Sequence, residues 1–380
     1  MKGYQSWAIS QSIKLLNQKK SKMKSIALTI TIILLVSAGI RSQMVYRHFD
    51  PDYMWTSFDE NFSGPTLDRN IWQPATRFKR SLGFLIDSTI TVNVNKGQLE
   101  LKMQYAPDYL DSIWRTSGWE PIISSYVGGE VSTRKRFLYG VFECKAKYAL
   151  KSGSWPAFWL IGGEDIPCPP GGHGSEIDIA ELSCASDFPT MFHVIHRYYP
   201  PVDCNTSILK NMNNKSYHVS GKPEYSTYKC IWMPDKIQYF INDKLMHEVI
   251  NQDYEWFPSI PLNLILSQQV TQGYDLANEI KPITPQTTYF DWVKVRQFFL
   301  APKITCPESI TLEGISTLDV DSLATQITWK LTPPALFTLP EGTGKTAHIE
   351  RLTKTNGPAK ITYTFQMPSG ETYTSKKAFK

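Results

Sequence analysis

Beyond residue 45 hardly any stretch of the chain keeps a sustained apolar period of 3.6 residues. Short apolar and β-branched runs recur instead between turn residues, at 90–94, 98–103, 128–132, 140–148, 175–182, 191–196, 228–233, 237–241, 244–250, 262–267 and 289–297. Regularly spaced strands without helical spacers predict an all-β chain, an antiparallel sandwich or barrel. Pro-Asp-Lys at 234–236 and Asn-Asp-Lys at 242–244 are turn chemistry, so residues 228–250 read as a three-stranded meander. Past Ala301-Pro302 the pattern changes to strict alternation of β-branched and polar residues, as in Gln326-Ile-Thr-Trp-Lys-Leu and Ala359-Lys-Ile-Thr-Tyr-Thr-Phe. A second, smaller β domain is expected there, over 301–380, a little short of the ~100 residues of an immunoglobulin-like sandwich and with its alternation still running at Lys380, as if truncated.

The N-terminus has neither pattern. Residues 19–24 read Lys-Lys-Ser-Lys-Met-Lys, and an apolar run follows over 25–39, ending near Ser37 and Gly39. A cationic start, a run shorter than the ~20 residues that span a bilayer, and small residues at its end make a signal peptide the expectation for 1–42, with Met23 as a sufficient start and the first 22 residues as an upstream extension. The mature product is then secreted, periplasmic or on the cell surface, without stable membrane insertion.

Charge changes the picture once this segment is set apart. The chain carries +5, but residues 1–42 hold seven basic side chains and no acid, so the remainder has 33 basic against 35 acidic residues, a net of −2. That excludes a nucleic-acid partner recognised by a basic surface. The 11 Trp, 19 Tyr and 18 Phe, mostly upstream of residue 300, suit strands and surfaces that stack on sugars. Six cysteines match no Cys-x-x-Cys metal or redox spacing, and no disulfide is assigned; Cys144 and Cys230 sit in strand-like runs and read as buried thiols. Gly344-Lys345-Thr346 resembles the end of a phosphate-binding loop but lacks its first glycine and reads as a turn.

The candidate chemistry lies in Gly174-Ser-Glu176-Ile-Asp178-Ile-Ala-Glu181-Leu. Glu176 and Asp178 share one face of a strand, opposite Ile177 and Ile179. Glu181 breaks the parity and would fall among the isoleucines, where an unpaired carboxylate is very unfavourable. A one-residue bulge around Ala180 would return it to the acidic face, giving two long carboxylates either side of a short one. Such a pair suits acid/base and nucleophilic work on a glycosidic bond, although short acidic alternations also occur on plain solvent-facing strands.

The flanks decide between these readings. Tyr139-Gly-Val-Phe-Glu-Cys-Lys-Ala-Lys147, Gly153-Ser-Trp155-Pro156-Ala-Phe158-Trp159-Leu160, the acidic run, and His193-Val-Ile-His196 occur in the order and spacing of family 16 glycoside hydrolases, and the similarity runs over roughly 52–300. Phe58 to Phe62 with Trp72 resembles the opening of that family, residues 97–101 an early strand, and 290–295 its closing strand. The resemblance implies a β-jelly-roll over 43–300 with an open cleft, preceding the immunoglobulin-like accessory domain. It implies Glu176 as nucleophile, Asp178 as assisting acid, Glu181 as acid/base, Trp155 and Trp159 as a sugar-stacking wall and His196 as a hydrogen-bonding partner of the acids, with His193 facing the other way. It implies a structural calcium with Asp291 among its ligands, and no cofactor for catalysis.

The bulged form of the signature occurs in laminarinases, agarases and carrageenases. The expected activity is therefore retaining endo-hydrolysis of a polysaccharide, β-1,3-glucan first, with an agarase- or carrageenase-type galactanase or a non-catalytic carbohydrate-binding protein as alternatives. Two departures from ordinary laminarinases, the Cys-Pro-Pro-Gly-Gly-His-Gly insertion at 168–174 and Leu266-Ser-Gln-Gln-Val270, leave the glucan open.

Overall fold

The computed structural model describes residues 52–79, 83–106, 126–162, 174–184, 189–199, 208–219, 223–251, 257–270, 285–355 and 357–380. The candidate signal segment, Cys168, His173 and Cys204 lie outside them. Seventeen strands make up the larger part: β1 (Met54–Glu60), β2 (Trp72–Pro74), β3 (Arg77–Lys79), β4 (Gly83–Leu85), β5 (Val92–Asn95), β6 (Gln98–Tyr105), β7 (Tyr126–Phe137), β8 (Gly140–Lys147), β9 (Ser154–Gly162), β10 (Gly174–Ser183), β11 (Thr190–Tyr199), β12 (Ile208–His218), β13 (Tyr225–Trp232), β14 (Lys236–Ile241), β15 (Lys244–Ile250), β16 (Leu262–Val270) and β17 (Gln286–Phe298). The back layer runs β6-β17-β8-β13-β14-β15, with β1 on β17 and β5 on β6. The front layer runs β2-β7-β16-β9-β10-β11-β12. The architecture is the expected antiparallel all-β sandwich.

Alternation along the strands produces the two layers. Phe158, Leu160, Leu264, Leu266, Ile177, Leu182 and Ile195 of the front layer meet Leu99, Phe142, Cys230, Phe290 and Val295 of the back layer in one buried core. Their neighbours Ala157, Trp159, Ile161 and Ile265 form a separate apolar cluster on the opposite face of the front layer. That face carries the chemistry.

The turns follow from particular residues. Asn242 and Asp243, both at positive φ (48° and 62°), close the β14–β15 hairpin, as the meander reading requires. Between β7 and β8, Gly140 adopts φ 131°, and a Cβ there would lie 2.4 Å from the Arg296 carbonyl oxygen. Only glycine fits that turn. Cys144, Cys184 and Cys230 are buried free thiols, and among the described residues no helix is long and apolar enough to cross a membrane.

The C-terminal residues form two further antiparallel sheets. One is β18 (Lys303–Thr305), β19 (Glu313–Asp319) and β22 (Thr346–Glu350); the other is β21 (Glu341–Thr343), β20 (Thr325–Thr332), β23 (Ala359–Gln366) and β24 (Thr372–Phe379). Their core holds Trp329, Leu331, Ile349, Ile361, Tyr363 and Phe365, and also Phe299, which follows β17. Tyr53 beside β1 packs edge-on to Phe299 at 5.6 Å, and Phe299 packs against Tyr373 of β24 at 5.0 Å. The Thr56 backbone N–H donates to Glu371 Oε1 at 2.9 Å, and the Tyr373 hydroxyl donates to the Met54 carbonyl.

This seam predicts shared unfolding. Phe299→Ala should destabilise by about 3–5 kcal/mol, the usual cost of truncating a buried aromatic. Urea denaturation followed by tryptophan fluorescence and by circular dichroism should show one coincident transition moved to lower denaturant. A shift confined to one part of the signal would show that the two cores unfold separately.

Candidate active site

Strand β10 is the centre of the front layer. On β9 the register runs Glu176 opposite Ile161, Asp178 opposite Trp159 and Glu181 opposite Ala157, so the chain takes three steps from Asp178 to Glu181 where β9 takes two. The same shift occurs against β11, where Asp178 faces Val194 and Glu181 faces Phe192. One extra residue at Ile179–Ala180 is thus taken up as a bulge, and both of these side chains are buried. The energetics favour it. A carboxylate stranded in the core costs several kcal/mol even after relaxation, whereas a bulge gives up roughly one ladder hydrogen bond, about 1 kcal/mol net.

Two carbonyls at the bulge accept side-chain hydrogen bonds from inside the sandwich. Buried His193 donates from Nδ1 to the Ile179 carbonyl at 2.7 Å, and the Tyr148 hydroxyl donates to the Ala180 carbonyl at 3.0 Å. Because Nδ1 carries the proton, His193 Nε2 accepts from the Tyr217 hydroxyl at 2.7 Å, and the ring stacks on Tyr239 at 4.7 Å. Burial lowers the His193 pKa to about 4, so the ring stays neutral and keeps this tautomer.

The bulge sets Glu176 and Glu181 one same-face step, about 6.6 Å of strand, on either side of Asp178. Asp178 is 3% exposed, while both glutamates are half-buried. His196, opposite Glu176 on β11, brings Nε2 to 3.0 Å from Asp178 Oδ2 and 3.9 Å from Glu176 Oε1. Burial first, then the Glu176 and Glu181 carboxylates, push the Asp178 pKa well above its ordinary value, and His196 pulls against them. The indole N–H of half-buried Trp155 donates to Glu181 Oε1 at 2.7 Å, so this tryptophan orients a carboxyl group. Trp159 is 5% exposed and donates to Ser267 Oγ at 3.2 Å, which makes it floor rather than open platform.

A sequence model of glycosyl hydrolases family 16 matches residues 83–294, more than half of the 380-residue chain and every front-layer strand from β7 to β16. The chain belongs to this family. Among curated relatives, it is 26% identical over 185 residues to a keratan-sulfate endo-1,4-β-galactosidase of Sphingobacterium multivorum, covering 46% of this chain and 42% of that protein. It is 23% identical over 273 residues to glucan endo-1,3-β-glucosidase A1 of Niallia circulans, covering 63% of this chain and 37% of that protein. The chain therefore spans about two fifths of the length of these relatives. A solved structure from work on endo-acting O-glycanases of the human gut microbiota that initiate mucin breakdown superposes with a TM-score of 0.51 at 20% identity, over 66% of this chain and 93% of that one; the likeness shows the fold.

For this family 16 chain the calcium expectation meets a different arrangement. Asp291 Oδ2 lies 2.8 Å from the Lys145 ammonium, and the Gln98 side-chain amide approaches Oδ1 at 3.5 Å. Calcium is held by six to eight oxygen acceptors, whereas here the aspartate is met by an ammonium and an amide N–H, both donors. The residues around Asp291 do not fit a calcium ion. Among the described residues, Glu176, Asp178 and His196 bring potential ligand atoms within 4.8 Å of one another.

The sequence reading missed Tyr148 and the purpose of His193. Parity turns His193 away from His196, but nothing in the sequence shows that its partner is the bulge carbonyl 14 residues upstream.

Two predictions follow from the bulge and its acids. Tyr148→Phe removes the donor to a buried carbonyl and should cost about 1–3 kcal/mol; steady-state kinetics should show a fall in kcat with KM nearly unchanged, and an unaltered kcat would mean the pin does not position Glu181. Folding raises the Asp178 pKa above 3.8, so the folded chain holds that proton more tightly, and this stabilisation is complete below 3.8 and fades as pH rises through the raised value. Asp178→Asn cannot ionise. Its thermal midpoint relative to the native chain should therefore climb as pH rises above 3.8 and through the raised value, while its activity falls; a pH-independent offset would contradict this.

Proposed function

We propose that this chain is an exported, retaining endo-β-glycanase that cleaves internal β-glycosidic bonds of a polysaccharide. The observation that carries this reading is the placement of Glu176 and Glu181 on one strand face on either side of Asp178, with Trp155 holding Glu181. Glu176 attacks the anomeric carbon, and Glu181 protonates the departing glycosidic oxygen. Glu181 then takes a proton from water as that water opens the glycosyl-enzyme bond. Asp178, protonated more readily than an ordinary aspartate, limits the negative charge beside the nucleophile, and His196 bridges the two. The C-terminal sheets serve as an accessory domain, and residues 1–42 direct export.

The bulged acidic strand and the tryptophan strand favour β-1,3-glucan as the backbone. A galactan is the second reading, favoured by the similarity to a keratan-sulfate endo-1,4-β-galactosidase. Purified protein should be offered laminarin, mixed-linkage glucan, agarose, κ-carrageenan and keratan sulfate, with reducing ends counted and the first-formed anomer read by nuclear magnetic resonance. A β-linked substrate should give the β-anomer first, and Glu181→Gln should lose about 10²–10⁴-fold in rate. An initial α-anomer would mean inversion and remove Glu176 from the nucleophile's role.

A further inference from the structure

Ser267, Gln268 and Gln269 follow one another on β16, and all three are buried. Alternation turns Ser267 and Gln269 to the face that carries the acids, where Ser267 takes the Trp159 indole and Gln269 lies opposite Trp155. Gln268 points the other way, into the sandwich, on the side of Leu264 and Leu266. A primary amide in such a place is costly unless its polar atoms are met, and those of Gln268 are. Nε2 donates to Ser154 Oγ at 2.9 Å and to the Gln269 carbonyl at 3.3 Å, while Oε1 accepts from the Thr288 hydroxyl at 2.6 Å.

The direction of these bonds is fixed. The Ala149 N–H donates to Thr288 Oγ1 at 3.2 Å, so the hydroxyl turns its own proton to Gln268 Oε1, and the amide must present its nitrogen to Ser154. A line of bonds therefore crosses from the back layer to the front, from Thr288 of β17 through Gln268 of β16 to Ser154, the first residue of β9. The backbone around Ser154 is held as well: its carbonyl accepts from the Cys184 N–H at 3.0 Å, and the Gly153 N–H donates to the Cys184 carbonyl at 2.8 Å. The start of β9 is thus fastened to the end of β10. Trp155 is the next residue, on the opposite face, and its indole donates to Glu181. An aliphatic side chain at 268 would fill the same volume without direction, whereas a satisfied buried network accepts one arrangement.

We propose that Gln268, backed by Thr288, is a positioning residue for the proton-donating step: it fixes Ser154, and through Ser154 the direction from which Trp155 presents its indole N–H to Glu181. The proposal rests on the glycanase reading above and extends the machinery that holds the proton donor to side chains that never meet the sugar.

Geometry and chemistry are tested separately, on the full-length protein. With isotope-labelled tryptophan, the Trp155 indole resonance is assigned by its loss in Trp155→Phe, and its hydrogen exchange is compared with that of the Trp232 indole, which donates to the Pro258 carbonyl. Gln268→Met and Thr288→Val nearly keep the volume and remove the bonds; Thr288→Val, the isosteric change, carries the test if Gln268→Met does not fold. Each should speed exchange at Trp155 about tenfold, the protection one hydrogen bond confers, with Trp232 unmoved. Thr288→Ser, which keeps the hydroxyl, should restore the native rate. The chemistry is read from kcat/KM on aryl β-laminaribiosides and β-galactobiosides. Dinitrophenolate departs without a proton, whereas phenolate needs one from Glu181, so the variants should lose about tenfold on the phenyl glycosides and almost nothing on the dinitrophenyl ones. Misfolding would lower both alike. An equal loss on both leaving groups, or native exchange at Trp155 in both variants, overturns the proposal. If native protein cleaves a polysaccharide while Trp155 exchange is unmoved in the variants, the clamp fails and the glycanase reading stands. If Trp155 exchanges faster in both variants but native protein cleaves no glycoside, the clamp stands and the glycanase reading fails.

Discussion

The site depends on a single constraint: one strand must place three carboxyl groups on the same face although their spacing in the chain allows only two. A regular strand would carry Glu181 into the apolar core. The extra residue at Ile179–Ala180 corrects the parity, and the two carbonyls there accept hydrogen bonds from His193 and Tyr148 within the sandwich. Acids on the outer face are thus positioned by neutral hydrogen bonds on the inner face. The low pKa of His193 follows from the same burial, and it keeps a positive charge from forming directly behind the acids.

Once three carboxyl groups are gathered, the burial of Asp178 first and the charge of its neighbours second set the protonation of the centre. Asp178 is the most enclosed of them and has a like charge on each side, so it bears most of the penalty. Asp178 therefore retains a proton more readily than an ordinary aspartate, and His196, 3.0 Å from its Oδ2, is placed to moderate it.

Much of this is legible in the amino-acid sequence, because local chemistry enforces it. Asn242-Asp243 and Tyr139-Gly140 are turns whose backbone angles few residues accept, and the shared face of Glu176 and Asp178 follows from alternation alone, while His196 is pointed to by the family resemblance. Contacts between strands far apart in sequence are not legible in this way. Tyr148 reaches Ala180 across 32 positions, and Trp155 reaches Glu181 across 26. Lys145 meets Asp291, where the family resemblance suggested a metal ion, because β8 and β17 are adjacent in the back layer. The amide of Gln268 joins β9, β16 and β17, and no linear motif announces a network drawn from three strands.

The aromatic seam between Tyr53, Phe299 and Tyr373 bears on how such a chain can be inherited or rearranged. Accessory modules are often exchanged as if joined by string, with the linker the only part that must match. Here the small sheets take Phe299 into their own core and hold the backbone at Met54 and Thr56, so they grip the larger sandwich at both its first and its last strand. A transplanted replacement would have to bring a surface that covers Tyr53, Trp55 and Phe299, or leave them in water. The unit that recombination can move intact is therefore the whole of β1 to β24, and the linker at 301–302 marks a change of sequence pattern rather than a seam where the protein can be cut.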